Sequence, residues 1–141
     1  MIRKFLLSLL KHKHVRRPWS GVFGRSYLRA DETWPIWLDL GDIHGPSSFI
    51  LKNGLLPYEG ESFEALRPFL NGKGTFVDAG ANIGPFTLRA AVGRPDLTVA
   101  AFEPHPLLRG LLENNVRLHG LDNVRVFAAG LGRERGRLVL H

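Results

Sequence analysis

Residues 75–84 read Thr75-Phe76-Val77-Asp78-Ala79-Gly80-Ala81-Asn82-Ile83-Gly84, and Pro85 follows. The apolar run at 75–77 goes straight into an acid, which predicts a short strand ending at a loop. Apolar spacing over 83–92 predicts a helix, with Pro85 near the first turn, where its missing N–H leaves nothing unpaired. Residues 97–102 form a continuous apolar run suited to a buried parallel strand, and Glu103 ends it. A second helix is predicted over 106–119, carrying Leu107, Leu108, Leu111, Leu112 and Val116, with Gly120 placed to cap it. Residues 124–128 predict a third strand. The turn Arg133-Glu134-Arg135-Gly136 then leads into a last short strand at 138–140. Strand, helix, strand, helix, strand is a βαβαβ unit, and such units build right-handed crossovers and a parallel sheet. The expected fold class is α/β, with a Rossmann-like parallel sheet and flanking helices.

The loop after the first strand has the composition of a cofactor cradle. Gly80 and Gly84 lack the Cβ atoms that would hold a ligand away from the backbone. The helix start beyond them presents unpaired N–H groups. Open α/β sheets bind ligands at the carboxyl ends of their strands, where Asp78 and Glu103 both fall. An acid at the position of Glu103 suits the paired hydroxyls of a ribose. The dinucleotide fingerprint is Gly-x-Gly-x-x-Gly, whereas this loop spaces its glycines Gly-x-x-x-Gly with an acid two residues earlier. That pattern suits a ligand with an ammonium group and a sugar better than an anionic pyrophosphate. Taken singly, Asp78 reads as a turn cap, Gly80 as a turn glycine and Glu103 as a solvated acid. Their joint occurrence in one βαβ frame favours cofactor binding. His105 and His119 read as surface residues, and no metal-ligand spacing is present.

Phe76-Val77-Asp78-Ala79-Gly80-Ala81-Asn82-Ile83-Gly84 resembles motif I of class I S-adenosylmethionine-dependent methyltransferases. Residues 58–140 resemble, more narrowly, the FkbM family. The shared features are Tyr58-Glu59, the loop, Ala101-Phe102-Glu103-Pro104, Asn114-Asn115, Gly120-Leu121-Asp122-Asn123-Val124 and Ala128-Ala129-Gly130-Leu131-Gly132. The resemblance implies S-adenosylmethionine as cofactor, held by Asp78, Gly80, Asn82 and Gly84 of the loop. Glu103 would be the ribose-binding acid. Asn123 or Val124, with the segment around Ala129, would lie near the adenine, and Tyr58 and Glu59 would close over the methionine end. Pro85 stands where the family often has an aromatic or polar residue. The implied reaction is methyl transfer, the resemblance pointing to O-methylation of a small-molecule or sugar hydroxyl. Family members also carry a later strand of Lys-Ile-Asp-x-Glu-Gly character, which is not found here. The expectation is therefore the cofactor-binding half, with the first three core strands, no assigned catalytic base, and an open edge at 75–77 through which chains could self-associate. The alternative is a non-catalytic remnant that binds cofactor or a partner.

The rest of the chain bounds this reading. The 141 residues hold 19 Lys and Arg against 13 Asp and Glu, a net charge of +6. Eight basic residues and no acid fall in residues 1–30, so the remainder carries a net −2. A basic arm on a slightly acidic body argues against nucleic acid as a partner. Cysteine is absent, which excludes disulfides, Cys-ligated zinc and a catalytic thiol. Ile2, Phe5, Leu6, Leu9 and Leu10 share one helical face; Ser8 breaks the apolar run and Lys-His-Lys-His follows it, which argues against a secretory signal. That amphipathic helix can pack on the fold, the commoner use, or, within residues 1–17, touch an anionic membrane surface peripherally. A cytoplasmic location is expected. Residues 31–57 read as an irregular lead-in with short strands around 34–38 and 49–51, the second closed by the turn signal Asn53-Gly54. Trp19, Trp34 and Trp37 suit a small core better than ligand stacking, and His44 reads as a loop residue. A helix is predicted over 61–70, with Phe63, Leu66 and Leu70 on one stripe and Pro68 near its end. The domain division expected is an arm at 1–30, the lead-in at 31–57 and a methyltransferase-like domain at 58–141.

Overall fold

The computed structural model describes residues 16–20, 26–30, 34–39, 41–42 and 44–137. The chain divides into two compact units, Met1–Tyr58 and Glu59–His141. The amphipathic helix expected at 2–10 and the strand expected at 138–140 lie outside the described residues.

In the first unit three strands form an antiparallel sheet in the order β1 (Arg16–Ser20), β2 (Ser26–Ala30), β3 (Ile36–Asp39). The β2–β3 register runs from Tyr27 opposite Asp39 to Ala30 opposite Ile36. The first two strands fall in the basic arm expected at 1–30, beyond its helix at 2–10, and their pairing is tertiary information that local periodicity does not carry. Helix α1 (Pro46–Asn53) follows β3. It replaces the strand expected at 49–51, and the reason lies in its ends. Pro46 stands in the first turn. The Asp42 carboxylate accepts from the Gly45 N–H at 2.6 Å and the Ser47 N–H at 3.0 Å, covering donors that the helix start leaves unpaired. Gly54, at φ 85°, closes the helix by donating its N–H to the Ile50 carbonyl at 2.8 Å. Asn53-Gly54 is thus a helix C-terminus and not a hairpin turn. Ile36, Leu38, Ile50 and Leu55 are buried in the described core.

The second unit begins with α2 (Gly60–Leu66), which tightens into a 3₁₀ turn at Arg67–Leu70 because Pro68 cannot extend the α-helical ladder. Three parallel strands follow in the order β4 (Gly74–Ala79), β5 (Leu97–Phe102), β6 (Val124–Phe127). They are joined by α3 (Pro85–Ala91) and α4 (Pro106–Leu118). This is the expected βαβαβ unit, and the β5 bounds match the apolar run at 97–102.

The register sorts the side chains by face. Phe76 is opposite Val99, and Val99 is opposite Val124. These residues pack with Phe63, Leu70, Ala90, Ala91 and Leu97 into one apolar cluster. A second cluster joins Ala81, Ala101 and Leu112 with Val116 and Val126. Both clusters draw on the same sheet face, so α2, α3 and α4 cover that face. Arg89, 6% exposed, adds a cation–π contact, its guanidinium 3.8 Å from the centroid of the Phe63 ring.

The other sheet face carries Val77, 51% exposed, and Phe127, 39% exposed. Phe102 and Phe127 stack there at 4.7 Å between centroids. Among the described residues β4 pairs only with β5, so its outer edge is unpaired. No helix among the described residues is long and apolar enough to cross a membrane.

Candidate functional site

The parallel sheet brings the carboxyl ends of β4, β5 and β6 to one edge, and the loop 80–84 folds over it. Phe102 ends β5 with a carbonyl that accepts the N–H groups of Gly80 at 2.9 Å and Ala81 at 3.0 Å. Asn82 comes next, at φ 54°, a left-handed conformation that Asn tolerates better than most residues. Its own Oδ1 accepts from the Ile83 N–H at 2.8 Å. Its N–H donates to Glu103 Oε2 at 2.9 Å, while the His105 N–H donates to Glu103 Oε1 at 2.8 Å. Glu103, 5% exposed, therefore has each oxygen held by one backbone donor. A carboxylate has about four lone-pair sites, so two remain for further donors.

Asp78 is the penultimate residue of β4, on the helix-covered face, opposite Ala101. The Thr87 hydroxyl donates to Asp78 Oδ2 at 2.5 Å. Burial pushes the Asp78 carboxyl above the usual carboxylate range, with hydrogen bonds from the Thr87 side chain and backbone opposing the rise and the Glu103 charge adding to it. The two acids thus sit close enough to influence each other across the loop.

The two glycines do different work. Gly80 has φ 79° and open space where a Cβ would stand, as a ligand-facing backbone requires. Gly84, at φ 97°, is buried, and a Cβ there would lie 2.6 Å from Leu112 Cδ1. Its missing Cβ admits a side chain of α4 and not a ligand, which corrects the reason expected for it. Glu59 is exposed at the start of α2, also left-handed at φ 44°. Ala129 is exposed just beyond β6, and the neighbouring Gly130 lies beside Pro104, a Cβ on it being 3.7 Å from Pro104 Cγ. The segment after β6 thus runs next to Glu103.

Asn123 is not brought to this edge. It precedes β6 and sits at the amino end of the sheet, where its Nδ2 donates to the carbonyls of Ala91 at 3.4 Å, Arg94 at 2.9 Å and Leu97 at 2.8 Å. There it borders an open cavity of about 400 Å³ with Arg94 and Asp122. In a parallel sheet the residue before a strand and the residue after it lie at opposite edges, so the expected place beside Ala129 is corrected.

Two residues outside the expected set organise the loop. Asn115 of α4 is fully buried and donates Nδ2 to the Ile83 carbonyl at 2.8 Å. Thr87 of α3, also fully buried, holds Asp78. The sequence shows the pair Asn114-Asn115 only as a shared feature of the family resemblance. Thr87 becomes visible only once α3 is placed against β4.

No protein-family profile matches the chain. A curated relative, Methyltransferase 1 of Beauveria bassiana (strain ARSEF 2860), is 44% identical over 64 residues, 45% of this chain and 26% of that protein. Methyltransferase sdnD of Sordaria araneosa is 40% identical over 65 residues, 45% of this chain and 25% of that protein. The matched stretch thus spans about a quarter of the length of these relatives. Among solved structures, M. jannaschii TYW2 in complex with AdoMet superposes with a TM-score of 0.51 at 23% identity, covering 84% of this chain and 48% of that one. The likeness extends to the fold: the chain has an α/β, Rossmann-like architecture, a parallel sheet with flanking helices.

Proposed function

We propose that the chain binds S-adenosylmethionine at the carboxyl edge of its parallel sheet and belongs functionally with FkbM-type methyltransferases. One observation carries the reading. Asp78 and Glu103, both carboxylates, flank a loop whose Gly80 faces open space at φ 79°. The names of the curated relatives and the AdoMet-bound structural neighbour support it.

The donor set fits that cofactor. Glu103 has acceptor capacity left after Asn82 and His105, which suits two ribose hydroxyls. Asp78, an acid beside the loop, suits the ammonium of the methionine portion, and Ala129 next to Pro104 and Glu103 suits the adenine side. Gly84 and Asn82 shape the loop that presents these groups. When bound, the cofactor supplies an electrophilic methyl group on a sulfonium. This chain's own residues bind and orient; rate enhancement in such transfers comes chiefly from positioning. The acceptor proposed is a hydroxyl of a small molecule or sugar.

Titration calorimetry of the purified chain with S-adenosylmethionine tests the reading. Saturable binding at one site, lost in Glu103→Ala, is expected. No binding at millimolar cofactor rejects it.

A second reading is favoured by the unpaired β4 edge and the exposed Val77. In it the unit binds cofactor or a partner without turning over by itself. Cofactor binding with no methyl transfer to any hydroxyl acceptor tried, and association of chains by sedimentation, is the outcome that selects it.

A further inference from the structure

Thr87 lies inside α3, nine positions after the acid it touches, and is fully buried. A threonine in a helix ordinarily turns its hydroxyl back to the carbonyl of the preceding turn. Here that carbonyl, on Ile83, is taken by Asn115 Nδ2 at 2.8 Å. The carbonyl of Gly84, one residue on, receives the Leu88 N–H at 2.9 Å. The Thr87 hydroxyl instead donates across to Asp78 Oδ2 at 2.5 Å. This bond takes one lone-pair site of a carboxylate that has about four, so others remain for a ligand's donors.

We propose that Thr87 is the positioning residue of the cofactor site, fixing the orientation of the Asp78 carboxylate so that its remaining lone pairs receive the ammonium of the ligand. This rests on the cofactor reading given above. Thr87 touches no ligand itself; it acts through Asp78. Asp78 is part-buried, and that burial favours the protonated acid, which would accept an ammonium poorly. The Thr87 donors work against that burial. Glu103, the other charged group acting on Asp78, works with it. Removing the hydroxyl therefore weakens binding most at low pH, where Asp78 takes up its proton first.

The test is calorimetric titration with S-adenosylmethionine from pH 5 to 8 on wild type, Thr87→Val and Thr87→Ser, with the fold of each checked by circular dichroism. Valine keeps the volume and removes the donor; serine keeps the donor. Thr87→Val is expected to bind about tenfold more weakly or worse near neutral pH, the loss of one hydrogen bond to a charged group. Its affinity should also fall away at higher pH than that of wild type, and Thr87→Ser should restore the wild-type pH profile. Thr87→Ala serves with the same readout should the valine variant not fold. A folded donor-less variant with wild-type affinity and pH profile overturns the role of Thr87 while leaving the cofactor reading intact. Absence of binding in the wild type overturns the cofactor reading and this role together.

Discussion

Asn82 and Glu103, 21 positions apart, are joined by one hydrogen bond, from the Asn82 backbone N–H to Glu103 Oε2 at 2.9 Å. Asn82 is left-handed, at φ 54°, where the chain turns from this bond into the start of α3. Glycine adopts that conformation freely and a β-branched residue does not. Asn82→Gly is expected to keep stability within about 1 kcal/mol of wild type, and Asn82→Val to lose about 1–3 kcal/mol. Urea denaturation of both variants checks this. Equal stability of the two variants contradicts a left-handed requirement.

Gly84 and Gly80 share positive φ, yet they should respond differently to alanine. At Gly84 the added Cβ meets Leu112 Cδ1 at 2.6 Å as well as the backbone strain. At Gly80 it meets open space. Gly80→Ala should cost about 1 kcal/mol from the backbone alone, and Gly84→Ala about 2–4 kcal/mol because the fully buried Leu112 side chain must move as well. Thermal melts rank the pair. A larger loss at Gly80 would contradict the packing role of Gly84.

Asp78 yields a prediction whose sign depends on pH. Burial raises its folded pKa above the unfolded value, so the native state holds this proton more tightly than the unfolded chain does. The contribution to stability is greatest at low pH and declines as pH rises from the ordinary Asp range through the raised folded pKa. Asp78→Asn removes that decline. The variant is therefore expected to be at least as stable as wild type at pH 7, while its affinity for S-adenosylmethionine falls by about tenfold or more through loss of the charge. Denaturation curves across pH 3–8 and calorimetry measure both. A variant clearly less stable at pH 7 than at pH 4, relative to wild type, contradicts the sign.

The parts of this fold that were legible in the sequence are those decided by local pattern. The run at 97–102 matches β5 because a strand buried in a parallel sheet is apolar throughout. The Phe49-Ile50-Leu51 run misled because three apolar residues suit either element. The deciding signals lay outside it, in Asp42, Pro46 and Gly54. Asp78, Gly80 and Glu103 could be assembled from strand order, since consecutive parallel strands put their carboxyl ends together, whereas Asn82 comes from the family resemblance. Thr87 and Asn115 could not, because their contacts cross from helices to β4 and to the loop. Gly84 was read as ligand-facing because a sequence shows that a Cβ is missing and not what occupies its place.

Asn123 separates structural work from ligand work at this sheet. Its Nδ2 ties three carbonyls, of Ala91, Arg94 and Leu97, that close the α3–β5 connection. Removing a part-buried donor that serves several acceptors leaves those acceptors to water or to nothing, a loss of about 1–3 kcal/mol. The ligand edge lies at the other end of the strands, so the two effects should be independent, as for sites without shared partners. Asn123→Ala is therefore expected to lower stability by about that amount and to leave the affinity for S-adenosylmethionine within about twofold of wild type. Urea denaturation and calorimetry on the same preparation measure the two quantities. A variant of wild-type stability whose cofactor affinity drops sharply would return Asn123 to the adenine side; a stability loss with unchanged affinity fixes it as the clasp of the amino edge.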